Sequence, residues 1–271
     1  MAFTVNPHDT ATAVGTGPDP VWDALRREAT AAAARESVLA DLIGRHILDS
    51  ASLEESLAHR ISRKLGHHAV SEPYLHDLFV EILVANPAIG QAARADMEAI
   101  VERDPASDGF LSPFLYFKGF QALTAFRIAH ALLQEGRREM ASYLQSIISQ
   151  VFAVDIHPAA QIGRGVLLDH ATSIVIGETA VIEDRVSILH EVTLGGTGKV
   201  RGDRHPKVGC GVLIGAGAKL LGNIQIGACA KIGAGSVVLE DVPPHVTVAG
   251  VPAKIVGAAE DDPAGCMDHG I

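Results

Sequence analysis

The sequence predicts an α+β protein, an N-terminal α-helical domain followed by a parallel β-helix of six-residue repeats. Three observations carry this. Aliphatic residues recur every six positions between Ile156 and Val238. All twelve aromatic residues lie at or before Phe152, and the 119 residues beyond it contain none. Glycine runs the other way, with 19 of its 27 copies after residue 152. Side-chain populations this different make two architectures. The expected divisions are a loose extension over 1–20, a helical assembly domain over 21–152, a β-helix over 153–257 and a loose tail over 258–271.

In the first part, Leu53, Leu57, Ile61 and Leu65 recur at i+4 and share one helical stripe. Ser52 and Glu55 form a capping-box signature at its start. Leu75, Leu78, Phe79, Ile82 and Leu83 make a second stripe, ending before Asn86-Pro87. A third helix is expected over 112–134 and a fourth over 138–151. Between two of them, Arg103-Asp104-Pro105 reads as a turn, where Asp104 looks like an ordinary cap.

In the second part the repeat aliphatics are Ile156, Ile162, Leu168, Ile176, Ile182, Ile188 and Leu194, then Val208, Ile214, Leu220, Ile226, Ile232 and Val238. Three hexads make one triangular coil, and each coil buries its aliphatics by stacking on the next. A narrow interior accounts for the missing aromatics. Glycine after many of the aliphatics suits tight corners. Repeats of this kind resemble those of the left-handed β-helix, an exception to the usual right-handed crossover.

The rhythm breaks twice. Two extra residues between Leu168 and Ile176 let Asp169-His170-Ala171-Thr172 bulge outward. A longer insertion, residues 195–207, carries Arg204-His205-Pro206-Lys207, where arginine suits a two-point grip on a carboxylate. Insertions in a repeat protein lie on its surface, where binding groups sit. His170 is two past Leu168 and His190 two past Ile188, so the two imidazoles should lie on neighbouring rungs of one face. Histidine titrates near neutrality, as a general base for an alcohol must. Asp155, at the entrance of the β-helix, is a candidate to orient that imidazole.

The charge of -10 argues against nucleic acid or an anionic membrane as the main partner. No apolar run reaches the roughly 18 residues of a membrane span. The opening MAFTVNPHDT has neither a basic nor an apolar signal region. Cys210, Cys229 and Cys266 match no metal or redox spacing. A reduced cytoplasm is therefore the expected location.

The stretches DIHPAAQIGRGVLLDHATSIVIGETAVI, VTLGGTGK, GDRHPKVG and GVLIGAGAKLLGNI resemble serine O-acetyltransferases, as do RDPA at 103–106 and the following LYFKGFQALTAFRIAH. The resemblance runs from about Trp22 to the C-terminus. It implies acetyl transfer from acetyl-CoA to L-serine by direct attack in a ternary complex, with acetyl-CoA as co-substrate and no bound cofactor or metal. By resemblance, His170 is the general base and Asp155 holds its tautomer, as the acid of a catalytic triad does. Asp104 and Asp169 receive the ammonium of serine, and Arg204 grips its carboxylate beside His205. The donor would run along later coils near Ala216 and Ala234, with Lys254 near a CoA phosphate. The family also implies a homotrimer or a dimer of trimers and feedback inhibition by L-cysteine. It implies docking of the terminal Ile271 into O-acetylserine sulfhydrylase, a known mode of chain-end capture. The acidic tail after Gly257 reads as disordered.

Rival readings are a hexapeptide acyltransferase acting on homoserine or a sugar, a β-helix zinc hydrase and a non-enzymatic scaffold. The two acids plus arginine favour an amino acid over a sugar. The hydrase resembles proteins with a histidine pair five residues apart, and the histidines beyond residue 152 contain no such pair.

Overall fold

The computed structural model describes residues 18–198 and 201–270. Asp19 starts α1 (Pro20–Arg35): its Oδ1 accepts the Trp22 N–H at 3.1 Å. Then come α2 (Ala40–Ile43), a π-type turn over Gly44–Leu48 and α3 (Leu53–Leu65). The capping box forms, with Ser52 Oγ accepting the Glu55 N–H (3.2 Å) and Glu55 Oε2 accepting the Ala51 N–H (2.7 Å). The Leu53, Leu57, Ile61 and Leu65 stripe is wholly buried. In α4 (Glu72–Ala85) the second stripe is buried too, and Pro87 opens α5 (Pro87–Arg103).

The single helix expected over 112–134 is two, α6 (Leu111–Tyr116) and α7 (Lys118–Gln134), parted by the extended Phe117 (φ -79°, ψ 105°). Apolar spacing runs through the break, so periodicity does not reveal it. The break lets Gly119 lie against Leu168 of the β-helix, where a methyl group would strike the Leu168 carbonyl oxygen. α8 (Arg138–Phe152) ends in the left-handed Ala153 and leads straight into the first strand.

The strands follow in coils. The first coil holds β1 (Val154–Ile156), β2 (Gln161–Ile162) and β3 (Leu167–Leu168). The second holds β4 (Ile174–Ile176), β5 (Val181–Ile182) and β6 (Ser187–Ile188), and the third β7 (Thr193–Gly195), β8 (Lys207–Val208) and β9 (Leu213–Ile214). The fourth holds β10 (Lys219–Leu221), β11 (Gln225–Ile226) and β12 (Lys231–Ile232). A last turn holds β13 (Val237–Val238) and β14 (Val246–Gly250), and β15 (Ala253–Ala258) folds back antiparallel on β14. Each repeat aliphatic from Ile156 to Val238 falls in its own strand, β1 to β13.

The three faces stack as β1-β4-β7-β10-β13, β2-β5-β8-β11 and β3-β6-β9-β12-β14-β15. This is a left-handed β-helix of about five turns. Away from the insertions stacked partners are 18 residues apart, as Val175 with Thr193, falling to 16 at the last rung, Lys231 with Thr247. Across the first insertion the separation is 20 (Val154 with Ile174), and across the second it is 26 (Val181 with Lys207). Both insertions are therefore absorbed at corners, leaving the ladder intact.

The two parts share one core. Asp96 of α5, fully buried, is paired with Arg127 of α7. Asp96 Oδ1 accepts the Val166 N–H (2.9 Å) and Arg127 Nη2 donates to Gly163 O (2.6 Å), tying both helices to the first coil.

One buried histidine makes stability depend on pH. His46, 7% exposed, has an Nδ1 with no partner. Burial, with the charge of Arg60 adding, pushes its pKa from 6.5 down to about 4. Below 6.5 the unfolded chain takes up a proton that the folded chain refuses, so this stabilisation is complete above 6.5 and drains away as pH falls towards 4. At about 1.4 kcal/mol per pH unit the loss is about 3 kcal/mol. Relative to His46→Gln, the urea-unfolding free energy of wild type should fall by that amount between pH 7 and pH 4. A constant difference would mean the folded imidazole already titrates with water.

Candidate active site

The two-residue insertion after β3 forces the chain through three left-handed non-glycine conformations, at His170 (φ 54°), Ala171 (φ 60°) and Ser173 (φ 62°). Such residues cost on the order of 1 kcal/mol or more each and cluster where a site requires them. The bulge lifts the His170 side chain out of the coil to 75% exposure. Asp169 is half-buried beside it, its Oδ2 3.8 Å from His170 Nε2. His190 occupies the equivalent corner one coil on, and the two rings meet edge-on with centroids 5.8 Å apart.

A cavity of about 1020 Å³ opens over this corner, walled by Asp104, Lys118, Asp169, His170, Met267 and His269 among others. Asp104 is the residue at which α5 ends, so the turn seen in the sequence carries its carboxylate to the bulge. The neighbouring Arg103 anchors that helix end, its buried Nη1 donating to Gly165 O (3.1 Å) and Ser187 Oγ (3.2 Å).

The tail, expected to be loose, helps to build the cavity as far as it is described. Residues Pro263–Cys266 form a short helix, α9, that packs on α5. Ser187 Oγ donates to Ala264 O (2.9 Å), Arg185 meets Asp262 (2.9 Å), and the buried Lys231 reaches Glu260 (3.3 Å) and Asp268 (3.4 Å). Three of the four acids that suggested a solvated end, Glu260, Asp262 and Asp268, meet cations of the β-helix. Ile271 lies outside the described residues.

Arg204 and His205 sit elsewhere. Their loop packs on the turn between β4 and β5, at the next corner of the prism. Glu178 Oε2 accepts from Arg204 Nη2 (2.6 Å), and the hydrogen bond to that guanidinium holds the Glu178 carboxyl below its usual range. His205, 6% exposed, accepts the Thr179 N–H at Nδ1 (3.1 Å), which puts the neutral ring's proton on Nε2. Burial, with Arg204 and Lys207 adding, lowers its pKa and keeps it neutral. Asp155, in the middle of β1, takes its hydrogen bond from Gln145 Nε2 (2.8 Å). The single chain thus brings together Asp104, Asp169 and His170, and leaves Asp155, Arg204 and His205 outside that cavity.

Ala216 and Ala234 follow β9 and β12 at the position where His170 follows β3 and His190 follows β6. The four residues form one column along a corner. Lys254, on β15, is exposed and 3.8 Å from Glu240. Among the described residues no group of three or more histidines, cysteines or acids is placed to hold a metal, and no helix is long and apolar enough to cross a membrane.

Comparison with known proteins gives the family. A family model described as the N-terminal part of serine acetyltransferase matches residues 21–125, and one for bacterial transferase hexapeptide repeats matches 205–240. The serine acetyltransferase of Salmonella typhimurium is 52% identical over 250 residues, 92% of each chain. The chain belongs to the serine acetyltransferase family. It is an enzyme of the acyltransferase class. Among solved family members, serine acetyltransferase of Brucella abortus in complex with coenzyme A is 55% identical with a TM-score of 0.88, covering 90% of this chain and 97% of that one. A serine acetyltransferase in complex with cysteine is 48% identical with a TM-score of 0.91, covering 93% and 98%.

For this chain the sequence pointed to the acids and the imidazole but missed Arg103 and Lys118. Both lie in stretches that carry the resemblance, RDPA and LYFKGFQALTAFRIAH, but nothing local gives either a role. The available signal was Gly119, an isolated glycine inside a helical pattern, which marks a close approach.

Proposed function

We propose that this enzyme transfers the acetyl group of acetyl-CoA to the hydroxyl of L-serine, giving O-acetyl-L-serine and CoA, the first step from serine to cysteine. The observation that carries the reading is the meeting of Asp104, Asp169 and His170 in one cavity of a serine acetyltransferase-family chain. His170 removes the hydroxyl proton as the oxygen attacks the thioester carbonyl. The tetrahedral intermediate collapses, the C–S bond breaks, and the imidazolium returns the proton to the departing thiolate. Asp104 and Asp169 supply the negative charge that an ammonium group needs. The attack is direct, in a ternary complex with no acetyl-enzyme.

Arg204 and His205 would hold the serine carboxylate, and Asp155, on the face between, would orient His170; β4 alone puts the Arg204 corner about 10 Å from the His170 corner. A second copy of the chain, presenting its Arg204 corner to this one's His170 corner, completes the set. That supports a trimer, alone or paired into a hexamer. The column from His170 through His190 and Ala216 to Ala234 spans about 14 Å at about 4.8 Å per coil. It offers the pantetheine arm a track of small side chains and main chain, with Lys254 beyond it for a phosphate. Cysteine, which differs from serine by sulfur for oxygen, fits the same contacts as a feedback inhibitor. Ile271 is assigned to capture by O-acetylserine sulfhydrylase, and the location to the cytoplasm.

The test is CoA release from acetyl-CoA with L-serine, L-homoserine and amino sugars in parallel. Turnover with serine, unmatched by the others, is expected. A better rate with homoserine or a sugar would transfer the assignment to that acceptor.

A further inference from the structure

The ends of the His170 bulge are held by the β-helix itself. Asp169 N–H donates to Ile188 O (2.8 Å), Ser173 N–H to Ala153 O (2.7 Å) and Glu191 N–H to Thr172 O (2.7 Å). Nothing in that ladder grips the side chains between them, where the left-handed residues His170 and Ala171 stand. The grip comes from the helical domain. Lys118 Nζ donates to Thr172 Oγ1 (2.5 Å), two residues past His170. Gly119 packs face-on against Leu168 and the buried Ala171, where a Cβ would stand 3.1 Å from that of Ala171 and strike the Leu168 carbonyl. The break at Phe117 brings this first turn of α7 into place, and Lys118 and Gly119 both line the cavity with His170.

We propose that Lys118, seated by the close packing of Gly119, is a positioning residue for His170, so that the helical domain sets the catalytic geometry. The inference rests on the reading of His170 as the general base. Lys118 fixes the far side of the bulge through Thr172, and Gly119 fixes its floor through Leu168 and Ala171. Released from either, the bulge can leave its left-handed conformations, and the imidazole moves away from the acceptor hydroxyl. A displacement of about 1 Å at a reacting group costs on the order of 100-fold in rate, and loss of one of two holds is expected to cost about 10-fold.

The test uses the full-length enzyme with Thr172→Val, Thr172→Ser, Lys118→Met and Lys118→Arg, beside His170→Ala, each assayed for kcat, both KM values and melting midpoint. Thr172 is exposed, so its exchange for valine does not disturb the core. Thr172→Val and Lys118→Met should lower kcat about 10-fold, leaving both KM values within about twofold and the midpoint unchanged. Thr172→Ser and Lys118→Arg should keep most of the rate. Full kcat in Thr172→Val and Lys118→Met, with His170→Ala inactive, overturns the positioning role and leaves the base assignment standing. A raised KM for serine at unchanged kcat also overturns it, making Lys118 a substrate ligand. A fall in midpoint matched by a fall in active fraction, at unchanged kcat per active site, reduces both residues to fold support. Turnover that survives His170→Ala removes the base assignment and this inference with it.

Discussion

His170→Ala is expected to lower serine-dependent CoA release by about 100-fold or more, the range general-base removal commonly costs. The fold should be untouched, because the side chain is 75% exposed and the bulge is held by its neighbours. Part of the backbone strain stays, since alanine tolerates a left-handed conformation no better than histidine does. The loss should fall on kcat, with the KM for acetyl-CoA little changed, because the thioester donor lies along the later coils in the proposed arrangement. Steady-state kinetics with both substrates varied gives the answer. Retained turnover would exclude His170 as the base and direct attention to His190, 5.8 Å away.

The largest effect on stability is expected from Arg127→Met. Asp96 is wholly buried, and burial raises its pKa against the pull of Arg127. Taking away the guanidinium leaves a carboxylate in the protein interior with only the backbone N–H groups of Val166 and Gly165, and breaking such a pair costs about 3–5 kcal/mol. The urea-unfolding free energy should drop by that amount at neutral pH. The deficit should shrink as the pH is lowered, because Asp96 can then take up a proton and lose its charge. Asp96→Asn combined with Arg127→Met should recover much of the loss, since no lone charge remains. A double variant as unstable as Arg127→Met alone would show that the guanidinium's hydrogen bond to Gly163 O, not the charge, holds the junction.

The β-helix was legible almost residue by residue, because a coil that buries its aliphatics only by stacking repeats its demand every six positions. The capped stripe of α3 was equally plain. The helix break at Phe117 was hidden because apolar spacing continues across it. The α5 helix escaped because Gly90, Ala92, Ala93, Ala99 and the charged Asp96 and Arg103 hold most of its buried positions and so give no strong apolar stripe. At the site, the bulge announced itself as a break in rhythm, which exposed Asp169 and His170. Lys118 and Arg103 act across sequence separations of 54 and 84 residues, on Thr172 and Ser187. No local pattern records such contacts. The tail misled for a different reason. Acids at a chain end look solvated until the partners, Arg185 and Lys231, are known to point at them.

A stack of equivalent coils has no inherent length, and an open parallel rung would accept another molecule's rung as readily as its own. Here β15 reverses direction, and the register slips between Thr247 and Val248, so the last rung of that face offers an incoming parallel strand the wrong pattern. At the other end α8 runs directly into β1, and α5 and α7 pack on β3. That face is thus closed at both ends. Strand addition at either end of that face is blocked by geometry, so the ladder there ends at its own length.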